Sequence, residues 1–321
     1  MIIGNSTAAA GCIEGIRSVD QKGPITVISE EPYPVYSRPL ISYLLLGETD
    51  EERMKYRPDD FYRKNGVRTL LGRKAEKIDS DAREVLLGDG SRVPYDRLLI
   101  ATGSRSFIPP MDGVDSVKNK FTFMTLDDAK SLQKALTPQA RVLIIGAGLI
   151  GLKCAEGIRH LVSSIQVVDL AGHILPSILD EEGSSMVQKH LEKNGISFTL
   201  NDCVAHFDGN TAVLKSGKEI PFDVLVAAVG VRPNTQIAAD AGCRVGRGIA
   251  IDSHSATNRP GLYAAGDCCE CHDITTGTDR ILAILPNAYL QGETAGINMA
   301  GGTKKFDQAI PMNSIGFLGL H

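Results

Sequence analysis

The spacing of apolar and polar positions predicts the same strand, turn and helix unit twice along the chain. The apolar run Met1-Ile2-Ile3 leads into small residues and a helical pattern that reaches Arg17, and Arg141-Val142-Leu143-Ile144-Ile145 leads into a second such pattern that reaches Arg159. A short buried strand followed by helical spacing is typical of a β-α-β unit on a parallel sheet. The register is kept at further positions, where Cys12, Glu14 and Gly15 correspond to Cys154, Glu156 and Gly157.

Small residues occupy both turns. The second turn, Gly146-Ala147-Gly148-Leu149-Ile150-Gly151, is a full G-x-G-x-x-G, whereas Ser6 and Ala9 replace two of the glycines in the first. Such turns let the backbone approach a pyrophosphate, and the following helix supplies N–H groups and partial positive charge. Close packing of a helix on a sheet produces similar turns, and this alternative is stronger for the first copy. Because the turn occurs twice, the sequence predicts two bound nucleotides and an electron path between them.

An acidic residue follows the strand after the second turn. Asp169 ends Gln166-Val167-Val168-Asp169, where a carboxylate accepts a hydrogen bond from a ribose hydroxyl. The same carboxylate repels a 2′-phosphate, and positions 170–176 contain no arginine to reverse that preference. Only His173 in this stretch could assist a phosphate. The sequence therefore favours NADH over NADPH.

The order of the segments predicts an α/β protein with two Rossmann-like domains, parallel sheets and small β-rich inserts. The first domain is expected at residues 1–106 and 240–305, and the second at residues 107–239. Residues 306–321 are expected to begin an incomplete C-terminal interface domain. The first apolar run is shorter than the second, which suggests that one or two residues precede Met1.

Composition excludes several classes of protein. The chain has 321 residues and a formal net charge of −4, which leaves no basic footprint for nucleic acid. No apolar run is long enough for a membrane span and no secretory leader is evident, so a cytoplasmic protein is expected. Seven scattered cysteines do not form the pattern of a disulfide framework.

Several short motifs in family order resemble the FAD-dependent pyridine nucleotide–disulfide oxidoreductase superfamily, in particular its NADH–rubredoxin reductase and nitrite reductase flavin-module branch. They are Ile3-Gly4-Asn5-Ser6-Thr7-Ala8-Ala9, Tyr36-Ser37-Arg38-Pro39-Leu40-Ile41-Ser42, Ala101-Thr102-Gly103, the Gly146 turn, Gly230-Val231-Arg232-Pro233-Asn234, Tyr263-Ala264-Ala265-Gly266-Asp267 and Gln291-Gly292-Glu293-Thr294-Ala295-Gly296. The resemblance implies FAD on the first unit and NADH on the second.

The resemblance also implies which residues hold each nucleotide. For FAD they are Gly4, Ser6, Ala9, Glu30, Arg38, Pro39, Ala101, Thr102, Gly103, Asp267, Asn287 and Ala288, and for NADH they are Gly146, Gly148, Gly151, Glu156, Asp169 and Gly230. Glu30 is the expected acceptor for the adenosine ribose, with Ser29 and Glu31 as rivals. Asp267 is expected at the ribityl chain, and the helix start at Asn287 and Ala288 at the pyrimidine edge, where negative charge develops on reduction.

The chain departs from the disulfide-using relatives beside the flavin. Positions 36–46 contain no cysteine, so thiol relay chemistry is not expected. Orientation of the two nucleotides is then the contribution of the protein. No proton-transfer residue is identified. Glu156 matches a family glutamate near the junction of flavin and nicotinamide, and an exposed helix glutamate is an equal alternative.

A cluster of cysteines, Cys268-Cys269-Glu270-Cys271-His272, matches the C-x-x-C-H haem-attachment pattern and resembles metal-ligand spacing. Haem attachment requires an export signal, and a zinc or iron–sulfur site requires a second ligand pair, neither of which the sequence contains. Structural thiols are therefore expected here and no metal site is predicted.

The sequence predicts an NADH:acceptor oxidoreductase that passes electrons to a rubredoxin-like or ferredoxin-like protein or to a nitrite reductase module. An NADH oxidase that reduces dioxygen is the nearest alternative, and a flavoprotein whose nucleotides regulate partner binding is another. A homodimer is expected only where a C-terminal domain is present.

Overall fold

A computed structural model of the chain describes residues 1–312 and 314–321. The helices are Thr7–Val19 (α1), Ile41–Leu46 (α2), Phe61–Lys64 (α3), Leu126–Ala135 (α4), Leu149–Ile158 (α5), Glu181–Lys193 (α6), Gln236–Asp240 (α7) and Leu285–Met299 (α8). The strands are Ile2–Ile3 (β1), Ile25–Ser29 (β2), Val67–Leu71 (β3), Ala75–Asp79 (β4), Glu84–Leu87 (β5), Arg92–Pro94 (β6), Leu98–Ile100 (β7), Ser104–Ser106 (β8), Lys120–Phe121 (β9), Arg141–Ile145 (β10), Ser164–Val168 (β11), Ile196–Thr199 (β12), Val204–Asp208 (β13), Thr211–Leu214 (β14), Glu219–Pro221 (β15), Val224–Ala227 (β16), Val231–Pro233 (β17), Ile249–Ala250 (β18), Leu262–Ala264 (β19), Cys269–Asp273 (β20) and Thr278–Arg280 (β21).

The chain divides into two compact units. Unit 1 comprises Met1–Ser37, Lys55–Ser104 and Pro233–Asn313, and unit 2 comprises Arg38–Met54, Arg105–Arg232 and Ser314–His321. The segment Arg38–Met54, which the sequence prediction includes in residues 1–106, packs within unit 2 because α2 lies against α5. The residues expected to begin a C-terminal domain are divided between the two units.

Unit 1 is built on a parallel sheet with strand order β19-β7-β1-β2-β3. The short strand β1 lies in its centre, with Ile3 paired to Ile28 on one side and to Ile100 on the other. Strands buried on both faces read as continuous apolar runs, which explains why β1, β7 and part of β2 contain almost no polar residue. Antiparallel β4, β5 and β6 form a separate small sheet.

Unit 2 repeats this arrangement with strand order β12-β11-β10-β16-β9, again parallel throughout. Its central strand β10 pairs Ile145 with Val168 and with Ala227. Antiparallel β13, β14 and β15 form its insert. The predicted α/β class with two parallel sheets and β-rich inserts is confirmed.

Helices α1 and α8 of unit 1 pack with their backbones close together. A Cβ atom added at Gly11 or Gly15 of α1 would overlap carbonyl oxygens of Tyr289 or Glu293 in α8. In the other direction, a Cβ at Gly292 of α8 would overlap the Ala8 carbonyl oxygen. Glycine is needed on both helices because only a residue without Cβ allows such close approach. Helix α8 begins two residues earlier than the predicted start at Asn287, since Pro286 is accepted in a first helical turn.

Within the described residues, the structure contains no helix of the length and apolar character that a membrane crossing requires.

Candidate cofactor sites

The first turn of unit 1 connects β1 to α1 through Gly4. Gly4 has φ +108°, and a Cβ there would overlap the carbonyl oxygen of Ala101. Its N–H donates to the Ile28 carbonyl at 2.8 Å, which fixes the turn between the neighbouring strands. This combination of positive φ and close approach explains why glycine is required at this position.

The turn of unit 2 has the same geometry. Gly146 has φ +110°, its Cβ position would overlap the Ala228 carbonyl, and its N–H donates to the Val168 carbonyl at 2.8 Å. A Cβ at Gly151 would overlap the Gly146 carbonyl, so this glycine is needed for helix packing. Gly148, by contrast, faces open space, which leaves room for a ligand against the start of α5. The two turns are therefore structural copies.

The start of α1 fits a bound pyrophosphate. Ser6 is the N-cap residue, but its side chain makes no capping hydrogen bond. The hydroxyl of Thr7 is buried and has no hydrogen-bond partner among the residues that the structure describes, although buried hydroxyls normally have one. An anion at the helix N-terminus would satisfy both groups. Sequence reasoning missed Thr7; the signal was a hydroxyl in the position that Leu149 occupies in the second copy.

Asp169 lies immediately after β11, beside the second turn. One carboxylate oxygen accepts from the Ala147 N–H at 2.6 Å and the other from the Ala171 N–H at 2.8 Å. These bonds orient the carboxylate toward the place where a dinucleotide ribose binds in this type of fold. His173, the candidate helper for a phosphate, has its Nδ1 at 2.9 Å from the Ser184 hydroxyl and so serves to hold its own loop.

The corresponding place in unit 1 is occupied by Ser29. Gly4 bonds to Ile28 as Gly146 bonds to Val168, so Ser29 corresponds to Asp169 in register. Glu30, the expected ribose acceptor, is 73 % exposed and lies 3.8 Å from the Lys74 ammonium. Glu31 accepts from the Tyr36 hydroxyl at 2.7 Å. The choice of Glu30 stays a prediction.

Thr102, which follows β7, is joined to Asn234, which follows β17, and both residues lie in unit 1. The Thr102 hydroxyl donates to the Asn234 carbonyl at 2.7 Å, and the Asn234 side chain donates back to the Thr102 carbonyl at 2.9 Å. The Gly103 carbonyl accepts from the Asn234 N–H at 2.9 Å. Ala101 sits beneath Gly4, as described above. Gly230, with φ +132° and open space at its Cβ position, ends the corresponding segment of unit 2.

Asp267, Asn287 and Ala288, which are predicted at the flavin end, lie in unit 1. Asp267 follows β19, and the Gly266 N–H before it donates to the Gln291 side chain at 2.7 Å, a contact that the sequence did not predict. Asn287 lies in the first turn of α8, whereas the Ala288 N–H donates to the Ile284 carbonyl inside the helix. This leaves Asn287 as the amide donor of the two.

Arg38 and Pro39 form a short 3-10 helix in unit 2. An Arg38 guanidinium nitrogen lies 3.5 Å from the Met124 carbonyl.

Glu156 is buried on α5, with only 3 % of its surface exposed. One carboxylate oxygen pairs with the Lys153 ammonium, and the other accepts from the Leu318 N–H at 2.7 Å. The alternative of an exposed helix glutamate is therefore wrong, because Lys153 and the chain around Leu318 cover the side chain. Its counterpart Glu14 in unit 1 pairs with Arg57 at 2.7 Å.

The cysteine cluster begins at the end of β19 and continues along β20. All three thiols are buried: Cys268 donates to the Ile100 carbonyl at 3.5 Å, and Cys269 to the Gly266 carbonyl at 3.1 Å. Burial raises the pKa of the Cys271 thiol to about 11, so it is protonated and unreactive at neutral pH. In the part of the chain that the structure describes, no group of three His, Cys, Asp or Glu side chains is arranged to hold a metal ion.

Comparison with known proteins identifies a family whose profile covers both glycine turns. A profile of the pyridine nucleotide-disulphide oxidoreductase family matches residues 1–292. The NADH-dependent phenylglyoxylate dehydrogenase subunit epsilon of Aromatoleum evansii is 31 % identical over 327 residues, which cover 100 % of this chain and 77 % of that protein. The assimilatory nitrate reductase electron transfer subunit of Bacillus subtilis (strain 168) is 31 % identical over 94 % of this chain, which spans only 39 % of that relative.

Among solved structures, the reductase fold of the covalent putidaredoxin reductase–putidaredoxin complex superimposes with a TM-score of 0.88 at 26 % identity. The match covers 94 % of this chain and 75 % of that one.

Proposed function

This chain belongs to the pyridine nucleotide-disulphide oxidoreductase family and is an FAD- and NADH-dependent oxidoreductase, and we propose that it passes the electrons of NADH to a small redox protein or a reductase domain. The observation that carries the proposal is the pair of glycine turns with equal geometry, one in each unit. Two dinucleotide sites in one chain suit a reaction in which electrons move from one nucleotide to the other.

FAD is assigned to unit 1 and NADH to unit 2. The unpartnered Thr7 hydroxyl supports a permanently bound pyrophosphate at α1, and Asp169 supports a nucleotide with a free 2′-hydroxyl at α5. Glu30, Arg38, Pro39, Thr102, Asp267 and Asn287 would complete the FAD site, and Gly148, Gly230 and Glu156 would line the NADH site.

The residues of the chain bind and orient the two nucleotides, and the reaction requires none of them to form a covalent bond to a substrate. The redox chemistry would be supplied by bound FAD, as a hydride acceptor for NADH and an electron donor to the acceptor. Because the Glu156 carboxylate is occupied by Lys153 and the Leu318 N–H, its assigned role is to fix α5 and not to transfer a proton.

A rubredoxin-like or ferredoxin-like protein, or a nitrite reductase module, is the proposed acceptor. The named relatives include an electron transfer subunit and a reductase joined to putidaredoxin. Positions 36–46 lack the cysteine that a disulfide substrate or a cysteine-based oxidase reaction would use.

Steady-state oxidation of NADH with one oxidant at a time tests the proposal. Rubredoxin, a [2Fe–2S] ferredoxin, a dye and dioxygen would each be supplied alone to the FAD-loaded protein. Turnover with a protein acceptor well above that with dioxygen is expected. Turnover with dioxygen alone would identify an NADH oxidase, and binding of both nucleotides without turnover would identify a regulatory flavoprotein.

A further inference from the structure

The first turn of unit 1 is tied to the neighbouring chain by the side chain of Asn5. The Asn5 side-chain amide donates to the Tyr33 carbonyl at 3.1 Å. Its side-chain oxygen accepts from the Tyr62 hydroxyl at 2.8 Å. Asn5 lies directly after Gly4, so both bonds act on the turn that approaches the nucleotide.

Tyr62 completes a closed set of hydrogen bonds. Its hydroxyl oxygen accepts from the Val35 N–H at 3.0 Å while its hydrogen goes to Asn5. Residues 31–37, which we call the strap, are thereby held at Tyr33 by Asn5 and at Val35 by Tyr62. Burial raises the pKa of Tyr62, which keeps the hydroxyl protonated as the donor that this arrangement requires.

The strap is also fixed by bonds that do not involve the turn. The Tyr56 N–H donates to the Val35 carbonyl at 2.9 Å, and the Tyr36 hydroxyl donates to the Glu31 carboxylate at 2.7 Å. Removal of the Tyr62 hydroxyl therefore leaves the strap folded and removes the bridge from Val35 to Asn5, while the direct bond from Asn5 to the Tyr33 carbonyl remains.

The second turn has a different arrangement. Ala147 occupies the position of Asn5 and has no polar side chain. Backbone hydrogen bonds of Ala147 stabilise this turn instead. The Ala147 N–H donates to the Asp169 carboxylate at 2.6 Å, and the Ala147 carbonyl accepts from the Leu175 N–H at 2.9 Å. The side-chain tie thus belongs to the turn of unit 1 and is not part of the duplicated geometry.

We infer that Asn5 and Tyr62 are a positioning pair that holds the strap closed on the first turn and makes FAD slow to leave unit 1. The inference rests on the proposed assignment of FAD to that unit. It explains why one of two equal turns would keep its nucleotide as a resident cofactor, while the other exchanges NADH as a substrate. Two links must open before the strap can separate from the turn, namely the Asn5–Tyr33 bond and the bridge through Tyr62.

Tyr62→Phe tests the inference in the FAD-loaded full chain. The rate at which free FAD fluorescence appears after dilution should rise about tenfold, the factor that corresponds to about 1.4 kcal/mol. Amide hydrogen exchange at Val35 should accelerate as well, because its N–H loses its acceptor. Tyr95→Phe is the matched control: Tyr95 is a buried tyrosine of unit 1 whose hydroxyl has no partner within the described part of the chain, so FAD release should change less than twofold.

Asn5→Ala provides a second route, since it removes both the bond to Tyr62 and the direct bond to the Tyr33 carbonyl. The double variant should release FAD no faster than the quicker single variant, because residues of one network are not additive. A Tyr62→Phe rate within twofold of the parent, or effects of the two changes that multiply, would overturn the inference. A parent chain that takes up no FAD would instead overturn the proposed function.

Discussion

Asp169 already uses both carboxylate oxygens on backbone amides, so its replacement affects both the second turn and any nucleotide bound there. Asp169→Ala should weaken NADH binding by about 1–3 kcal/mol through the lost charge-assisted hydrogen bond. FAD content should stay unchanged, because the residue lies in unit 2. NADH titration of flavin reduction measures the first effect and the absorbance of the purified protein the second.

Asp208→Ala serves as the control for Asp169, since Asp208 is an exposed aspartate on β13 of the same unit. It should leave NADH affinity as it is. Equal loss of FAD in Asp169→Ala would mean that the two turns carry the opposite nucleotides.

The three clustered cysteines should not store electrons. The buried sulfurs of Cys268 and Cys269 contact carbonyl oxygens, which a serine hydroxyl can also use. Replacement of all three cysteines by serine should keep the rate of flavin reduction by NADH within about threefold, at a stability loss of roughly 1–3 kcal/mol. Anaerobic titration should consume two electrons per FAD in both proteins. Four electrons in the parent and two in the variant would make Cys268, Cys269 and Cys271 a redox site.

At the scale of single residues, the sequence predicted those side chains whose identity is determined by the local backbone geometry. Gly4, Gly146 and Asp169 occupy positions that a strand, turn and helix unit requires regardless of the rest of the chain. Tyr62 and Lys153 could not be predicted, because their partners come together only in the folded chain. The bond between Leu318 and Glu156 joins positions 162 residues apart, so helical spacing wrongly allowed an exposed Glu156.

At the scale of elements, the close contact of α1 and α8 depends on the absence of side chains. Gly292→Ala would place a methyl group against the Ala8 carbonyl, and backbone cannot move aside as a flexible side chain does. A loss of roughly 1–3 kcal/mol in the free energy of unfolding is expected, with lower FAD content, because α1 also begins at the first turn. Denaturant unfolding and flavin absorbance measure the two effects.

Gly183→Ala in α6 is the matched helical control. The nearest atom to its Cβ position is a side-chain oxygen of Asp180 at 3.3 Å. Alanine should be tolerated there and should even add roughly 0.5–1 kcal/mol, because glycine is a poor helix former. If both variants unfolded alike, close packing of α1 and α8 would not be the cause.

The hairpin of β20 and β21 contains an acid-sensitive carboxylate, Asp273. Burial raises the pKa of Asp273, but hydrogen bonds from Thr275 and Arg280 outweigh it and lower the pKa to about 2. The unfolded value is about 3.9, so the carboxylate stabilises the folded state above that pH and the contribution is lost as pH falls toward 2.

The protection of amide hydrogens in residues 269–280, corrected for the intrinsic pH dependence of exchange, should therefore fall between about pH 4 and pH 2. Asp273→Asn should remove most of this pH dependence, at the cost of faster exchange at neutral pH. An unchanged pH profile in the variant would assign the acid sensitivity to other groups.

At the scale of the whole molecule, the purified chain should be yellow and hold one FAD per chain. Every predicted FAD residue is present between Gly4 and Ala288. Protein-bound flavin is measured by absorbance after release by heat, against total protein. A folded but colourless chain that takes up no added FAD would contradict the assignment of unit 1.

The overall architecture could be predicted because it is repeated. Two apolar strands followed by equal turns imply two sheets, and the small β inserts were marked by hairpin residues such as Asp89 and Gly90. The packing of Arg38–Met54 within unit 2 could not be predicted. It depends on α2 lying against α5, where a Cβ at Gly157 would meet the Ser42 carbonyl at 2.9 Å, and no local pattern specifies that partner.

The contact between α1 and α8 also determines the order in which the chain can fold during synthesis. α1 ends at Val19, but its glycine-lined face has no partner until Met299 has left the ribosome. The stretch Arg105–Arg232 cannot supply that partner, because it belongs to the other unit.

 Residues 105–232 are contiguous and contain the whole five-stranded sheet of unit 2, so that sheet can form while unit 1 is still unfinished. The nascent chain must therefore keep the glycine-lined face of α1 without α8 through most of translation, and cofactor capture at the first turn is one of the last events in the biogenesis of the protein.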